Sequence, residues 1–438
     1  MTTGESLSVA PPRGMRDLLP SQVYLRDWAT GVILQTYGRF GFTRIETPVV
    51  ENIHLLRGGE GGENLQLIYE VLKRGDKLDK VLSTPSGVDR LELADLGLRF
   101  DLTVPLVRYY SNNEANLPKP LKAIQIGSVF RAESPQKGRF RQFTQCDIDI
   151  LGVKSELAEM ELIQATTTAL LGLGFEGFTV LINDRRFLAA LAAHCGFEEN
   201  CYSSVYIALD KLDKIGLEKV KAELISEGHP QQSVTMLSEF LQKYLEQQKE
   251  GKDTLSDIKA LLPDLLWGEF MGGLDKIVQA VNESSGGNYR IQFEPTLVRG
   301  MGYYTGPIFE IKYPGYSGSI AGGGRYDKMV GKLSGREDVP ACGFSIGFER
   351  VIDILTEKGF VPPFSAKKIA LIVDPDRDDG TGVLKAASKL RDGGNVVSVL
   401  ARKKDMKKQL DQLLSQGYTE YCAYKGDPEN LELKTLSK

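Results

Sequence analysis

The chain has 438 residues, 42% hydrophobic and 26% charged, and its 54 Lys and Arg stand against 58 Asp and Glu for a formal net charge of −4. That length predicts two or three domains with sizeable cores, and the slight acidity argues against indiscriminate nucleic-acid binding while permitting a local basic surface. No apolar run nears the roughly 18 residues of a membrane span, the first twenty residues lack a signal-peptide layout, and five scattered cysteines without a CxxC pair indicate neither a disulfide framework nor a zinc site. The expectation is a cytoplasmic protein with no membrane partner and no metal held by its own side chains. Apolar spacing predicts a helix over 22–40. "GFTRIETPVVE" (41–51) then reads as a short strand closed by Pro48, because proline is tolerated at strand ends and edges. "RGGEGGENLQ" (57–66) reads as a surface loop, since a phosphate cradle would want a following GK[ST] that is missing.

"LRFDLTVPLVRYY" (98–110) alternates and then turns helical, and "LKAIQIGSVFRAE" (121–133) and "RFRQFTQCDIDILG" (139–152) predict two antiparallel strands. The hairpin between them concentrates Arg131, Lys137, Arg139 and Arg141, which points to an anionic ligand. An amphipathic helix is predicted over about 155–173. Charged, helix-forming sequence from about 180 to 285 predicts a helical insertion. Strand patterning returns in "YRIQFEPTLVRGMGYYTGPIFEIKYP" and "SGSIAGGGRYDKMVGKL", and "ACGFSIGFERVIDILTEKG" runs from a strand or turn into a helix. After the proline-bearing linker "VPPFSAKK", strand and helix alternate, which predicts a small α/β domain with a largely parallel sheet. From Ala366 onward 14 basic residues face 11 acidic ones, so the tail is the basic part. The expected division is 1–365, carrying the insertion, and 366–438.

Hydrolytic triads and dinucleotide chemistry lose their footing early. There are three histidines (His54, His194, His229), and no GxSxG, HExxH, Walker A or Rossmann fingerprint appears at a strand-to-helix junction. What recurs is arginine beside glycine: Arg131 and Arg139 on the hairpin, Arg299 in "LVRGMGYY", Arg325 in "GGGRYD" and Arg350 in "GFER". Guanidinium forks match phosphate oxygens, and glycine lets backbone approach a bulky ligand, so a polyphosphate on an antiparallel sheet is one reading. Surface ion pairs for the arginines and a bulge or tight turn for the glycines are the plainer one. Asp147 and Asp149, two apart on a strand, should project together with Gln145, and Asp101 lies on the same predicted sheet. Such carboxylates suit a substrate ammonium or a metal held with its phosphates, or simply an edge strand.

These motifs taken together resemble class II aminoacyl-tRNA synthetases and, within them, histidyl-tRNA synthetases, over nearly the whole chain. "GFTRIETPVVE" resembles the first class motif, "FRAESPQKGRFRQFTQ" the second and "GFSIGFER" the third. "LVRGMGYYTGPIFE" and "AGGGRYD" resemble the two histidine-specific signatures, and "PPRGMRDLLP" the N-terminal segment. The resemblance implies an α+β catalytic core on an antiparallel sheet with a C-terminal anticodon-binding-like α/β domain. It implies ATP and histidine as substrates, Mg²⁺ with the phosphates, tRNA(His) as acceptor, and a homodimer.

Residue by residue, it implies that Arg131, Glu133, Arg139 and Arg350 bind ATP and that Arg131 and Arg299 act on the α-phosphate. Asp101, Thr103, Gln145, Asp149, Tyr303, Tyr304 and Tyr326 would bind histidine, and Gln136 and Lys137 would meet the acceptor end of the tRNA. The sequence departs from the family pattern at Gly302, where an aspartate is usual, at Asp101 and Asp149, where glutamates are common, and in a short C-terminal domain. A rival implication is a non-charging paralogue that senses histidine as the regulatory subunit of ATP phosphoribosyltransferase. Such proteins generally lose the ATP-binding arginines and the α/β tail, whereas this chain carries Arg131, Arg299 and Arg350 and most of a tail.

Overall fold

The computed structural model describes residues 9–437 apart from 60–65, 84–89, 135–138, 252–253, 264–267, 269, 301 and 364–366. Two compact units divide at Phe360/Val361. The first is organised on an eight-stranded sheet in the order Thr43–Arg44, Leu121–Phe130, Gln142–Leu151, Ala341–Ile346, Ser319–Arg325, Pro307–Lys312, Thr179–Asp184, Arg290–Phe293. Its interior pairings are antiparallel, and both edges are parallel: Thr43 pairs with Ala123, and Thr179 with Arg290. The sheet is thus mixed, with an antiparallel centre.

Period-two alternation on Gln142–Leu151 decides which face is core. Cys146, Ile148 and Ile150 are buried in the main hydrophobic cluster with Leu162, Ile163 and Leu170 of helix Leu157–Gly172 and Ile33 of helix Pro20–Arg39. Gln145, Asp147 and Asp149 therefore turn to the opposite face. One charged pair holds the layers in register: Arg325 donates to both oxygens of Glu159 at 2.6 and 2.8 Å, with side chains only 8% and 1% exposed. Removing one partner would strand a buried charge at a cost of roughly 3–5 kcal/mol. Arg325 is therefore structural, not a phosphate ligand, a correction to its reading as one of the glycine-flanked phosphate arginines.

The helical region begins later than its composition suggests. Thr179–Asp184 is a strand of the main sheet, and helices run from Arg185–His194 to Phe270–Ser284. Asp184 caps the first of them by accepting from the Arg186 N–H at 2.8 Å. "GFTRIETPVVE" is two short strands, Thr43–Arg44 and Val50–Asn52, on either side of Pro48 rather than one. Ile53–Gly59 is a helix that takes in the start of the glycine-rich stretch expected as a loop, whose remaining glycines lie outside the described residues. Val50–Asn52, Ala94–Leu98 and Glu70–Leu72 form a separate three-stranded antiparallel sheet with Ala94–Leu98 central.

The second unit carries a four-stranded sheet ordered Val396–Ala401, Lys368–Val373, Glu420–Ala423, Leu433–Thr435. The first three strands are parallel and the last, which alternation did not announce, is antiparallel. Helix Gly380–Asp392 supplies Val383 and Ala386 to a cluster with Ile369 and Leu371, while Leu413 of helix Met406–Ser415 packs with Ala370 and Ile372. The helices thus cover opposite faces of the central strand. Among the described residues, no helix is long and apolar enough to cross a membrane.

Candidate active site

The polar face of the main sheet floors a cavity of about 470 Å³, a size suited to a small organic ligand. Sheet register places its groups in levels. Asp149 pairs across to Gly343, Asp147 to Ser345, and Ser345 in turn to Gly322. Phe143, near the hairpin end, lies roughly 20 Å from Asp149 along an extended strand. One end of the floor is therefore acidic.

At that end Asp101, Asp147 and Asp149 are all buried. Asp149 accepts from the Tyr326 hydroxyl at 2.5 Å, Asp147 from the Ser345 hydroxyl at 2.5 Å and Asp101 from the Val104 N–H at 3.2 Å. Burial pushes Asp101 up to about 6 and Asp149 up to about 7, and raises Asp147 as well, with Asp149 adding repulsion. The Asp101 carboxyl is also the N-terminal acceptor of helix Thr103–Asn113, which places Thr103 in the cavity wall. Gly343 is required beneath Asp149: a Cβ there would stand 2.0 Å from its Oδ1.

At the level of Asp147 the guanidinium of Arg299 lies over Gly322, where a Cβ would come 2.2 Å from Arg299 Cζ. Burial works against its charge, but Glu310, accepting from Nη1 at 2.5 Å, outweighs that and keeps Arg299 firmly protonated. Further along, Arg131 donates through Nε to the Phe100 carbonyl at 3.0 Å and stacks 5.1 Å from the Phe143 ring centroid. Arg350 donates to the Ser319 carbonyl at 2.5 Å. Arg139 and Glu133 face each other at 3.8 Å. Each cation has its direction set by a protein acceptor or ring, with further N–H groups left to point into the cavity.

Arg131, Glu133, Arg139, Arg299, Arg350, Asp101, Thr103, Gln145, Asp149, Tyr303, Tyr304 and Tyr326 all line this one cavity. Gln136 and Lys137 lie outside the described residues. Gln145 Oε1 is buried with no hydrogen-bond partner, which leaves an acceptor in the cavity lining with capacity to spare. Arg141, on the same hairpin, turns away to the Glu133 carbonyl at 3.0 Å. Gly302 is exposed and does not line the cavity. The site also contains Phe140, Phe143 and Glu349, which sequence reasoning left out, and Asp147, which it grouped with Gln145 and Asp149 as a candidate carboxylate without adding it to the histidine set. For Asp147 the two-residue spacing from Gln145 and Asp149 was a sufficient signal.

A family model described as histidyl-tRNA synthetase matches residues 14–351. A histidine–tRNA ligase of Leifsonia xyli is 44% identical over 434 residues, covering 98% of this chain and 99% of that protein. The chain belongs to the histidyl-tRNA synthetase family. The histidine–tRNA ligase of Cytophaga hutchinsonii is 34% identical over 410 residues, 91% of this chain and 88% of its own length. In structure, a histidyl-tRNA synthetase from Nostoc superposes with a TM-score of 0.77 at 28% identity, over 98% of this chain and 95% of that one. A Bacillus halodurans protein titled as an ATP phosphoribosyltransferase regulatory subunit/histidyl-tRNA synthetase has a TM-score of 0.74 at 20% identity, over 96% and 100% of the two chains, a likeness of fold alone.

Proposed function

We propose that the protein is a histidine–tRNA ligase that activates histidine with ATP and passes the histidyl group to the 3′ end of tRNA(His). The observation that carries this reading is the level of Arg299: it lies across the sheet from Asp147, between the carboxylates that suit an amino-acid ammonium and imidazole and the arginines that suit a triphosphate. Asp101, Thr103, Gln145 and Asp149 hold histidine, and Tyr303, Tyr304 and Tyr326 close the pocket around it. Arg139, Glu133 and Arg350 hold ATP, and Arg131 and Arg299 clasp the α-phosphate.

A histidine carboxylate oxygen bonds to the α-phosphorus in line while the bond to the bridging oxygen of pyrophosphate breaks. That step needs alignment and neutralised charge more than a nucleophilic side chain. In the second step a ribose hydroxyl of the terminal adenosine attacks the carbonyl carbon and AMP departs. In this reading Mg²⁺ accompanies the phosphates of ATP, since it is usually held by substrate phosphates and one or two carboxylates rather than by an all-protein cage.

The basic run at Lys403–Lys408 supports tRNA contact by the second unit, whose attraction for phosphates would weaken with salt. Gln136 and Lys137 belong to the acceptor-end contact in this reading. Exposed Val50, Leu72 and Leu96 on the three-stranded sheet support a homodimer through that face, and the cytoplasm is the compartment in which such a reaction would run. We hold the ligase reading over a histidine-sensing regulatory role because the arginine set and the tail are both retained. Amino-acid-dependent exchange of labelled pyrophosphate into ATP tests it: the expected result is exchange with histidine, and its absence despite histidine binding would favour the regulatory role.

A further inference from the structure

At the nucleotide end of the cavity one carboxylate gathers three stretches of chain. Glu349, in the first turn of helix Phe348–Glu357, is 8% exposed. Its Oε2 accepts from Arg16 at 2.6 Å and from Arg26 Nη1 at 2.7 Å, and its Oε1 from Arg26 Nη2 at 2.8 Å and from the Thr144 N–H at 3.0 Å. Arg26 Nη2 also donates to the Thr144 hydroxyl at 2.8 Å. A carboxylate has about four acceptor sites, and these bonds take them all. Glu349 therefore lines the cavity without having anything left to offer a ligand.

What it holds is the N-terminal segment. Arg16 stacks 4.0 Å from the Phe140 ring centroid and Arg26 4.9 Å from that of Phe348, and the Arg141 N–H donates to the Gly14 carbonyl at 2.8 Å. Gly14, Arg16 and Arg26 do not line the cavity, whereas Phe140, Phe143, Phe348 and Arg350, attached to the parts they grip, do. The segment is thus a strap behind the aromatic and cationic wall.

We propose that Arg16 and Glu349 are positioning residues for ATP, the strap setting the wall from which Arg350, Phe140 and Phe143 meet the nucleotide, while the carboxylate end of the cavity is set independently. This rests on the reading that the arginine end binds ATP. A misplacement of about 1 Å in a reacting group costs on the order of a hundredfold, so slackening the strap should be visible in kinetics before it is visible in folding. Arg16, at 33% exposure with one contact to Glu349, is the mildest place to cut it.

The test uses the full chain. In pyrophosphate exchange, Arg16→Ala should raise the KM for ATP about tenfold, leave the KM for histidine within about twofold and shift the melting temperature by only a few degrees. Arg16→Lys, able to remake the single bond to Oε2, should recover most of that loss, and Glu349→Gln should exceed Arg16→Ala. An unchanged KM for ATP in Arg16→Ala, or KM values for ATP and histidine that rise together with a lowered melting temperature, would overturn the proposal. Calorimetric Kd values for Mg-ATP give the same comparison without turnover. If the unsubstituted protein binds ATP but exchanges with no amino acid, the ligase reading falls, while the strap still stands or falls on whether Arg16→Ala weakens ATP binding.

Discussion

Asp101, Asp147 and Asp149 sit buried at one end of the cavity and are hydrogen-bonded by neutral donors, whereas Arg299, level with Asp147, and Arg131 and Arg350 further along are each turned by an acceptor of the protein itself. Both sets stand on the same few strands. The acidic end is left short of positive charge, with its carboxyls pushed towards neutrality, so it gains most from a ligand that brings a cation. The cationic end is preorganised and charged whether or not a ligand is there. One end is built to select and the other to stabilise, and substitutions should separate the two.

The largest break is expected at Arg299. Arg299→Ala should lower pyrophosphate exchange by roughly a hundredfold to a thousandfold, the scale of one preorganised charge group, with the circular dichroism spectrum unchanged. Next, Asp149→Asn should raise the KM for histidine by at least about tenfold with little effect on the KM for ATP, the kinetic sign of lost ground-state binding at one end only. The same separation should extend to the second unit: reversing the exposed Lys404, Lys407 and Lys408 to glutamate should weaken tRNA charging by about tenfold at low salt and leave pyrophosphate exchange alone.

The smallest effects are protonic. Asp149 titrates near 7 in the folded protein against 3.8 as the ordinary value, so the folded state holds its proton more tightly than the unfolded state does. Its stabilising contribution is complete below about 4 and is lost as pH rises through about 7, the sign that linkage requires for a raised carboxyl. The melting temperature of the ligand-free protein should therefore fall between pH 5 and 7.5 more steeply than that of Asp149→Asn. A cationic ligand reverses the balance. Binding histidine near pH 6.5 should release protons, seen as a dependence of the calorimetric heat on buffer ionisation enthalpy, and Asp149→Asn should release fewer.

Much of this division was legible in the sequence because it depends on local period. Within strand Gln142–Leu151 the stretch from Gln145 to Ile150 alternates polar and apolar residues, so Gln145, Asp147 and Asp149 could be assigned to one face before any tertiary contact was known. The strand–helix order of the second unit was equally plain. Its last strand, Leu433–Thr435, was not, because three exposed residues at an edge carry no alternation. The helix Ile53–Gly59 was hidden by Gly58 and Gly59, whose poor helix propensity is outweighed by burial of Ile53 and Leu56.

Side-chain roles that depend on distant partners were the least legible. Arg325 and Arg350 look alike as arginines beside glycine, yet Arg325 is consumed by Glu159, 166 positions away. Glu349 is adjacent to Arg350 and carried no signal of its own, because the arginines that define it lie 333 and 323 positions earlier.

The most direct test of the account remains pyrophosphate exchange into ATP by the intact protein, run with histidine and with each of the other amino acids. Exchange with histidine alone is the expected result, joining a selective acidic end to a working phosphate end. Exchange with a different amino acid, or none with histidine while histidine binds, would contradict it.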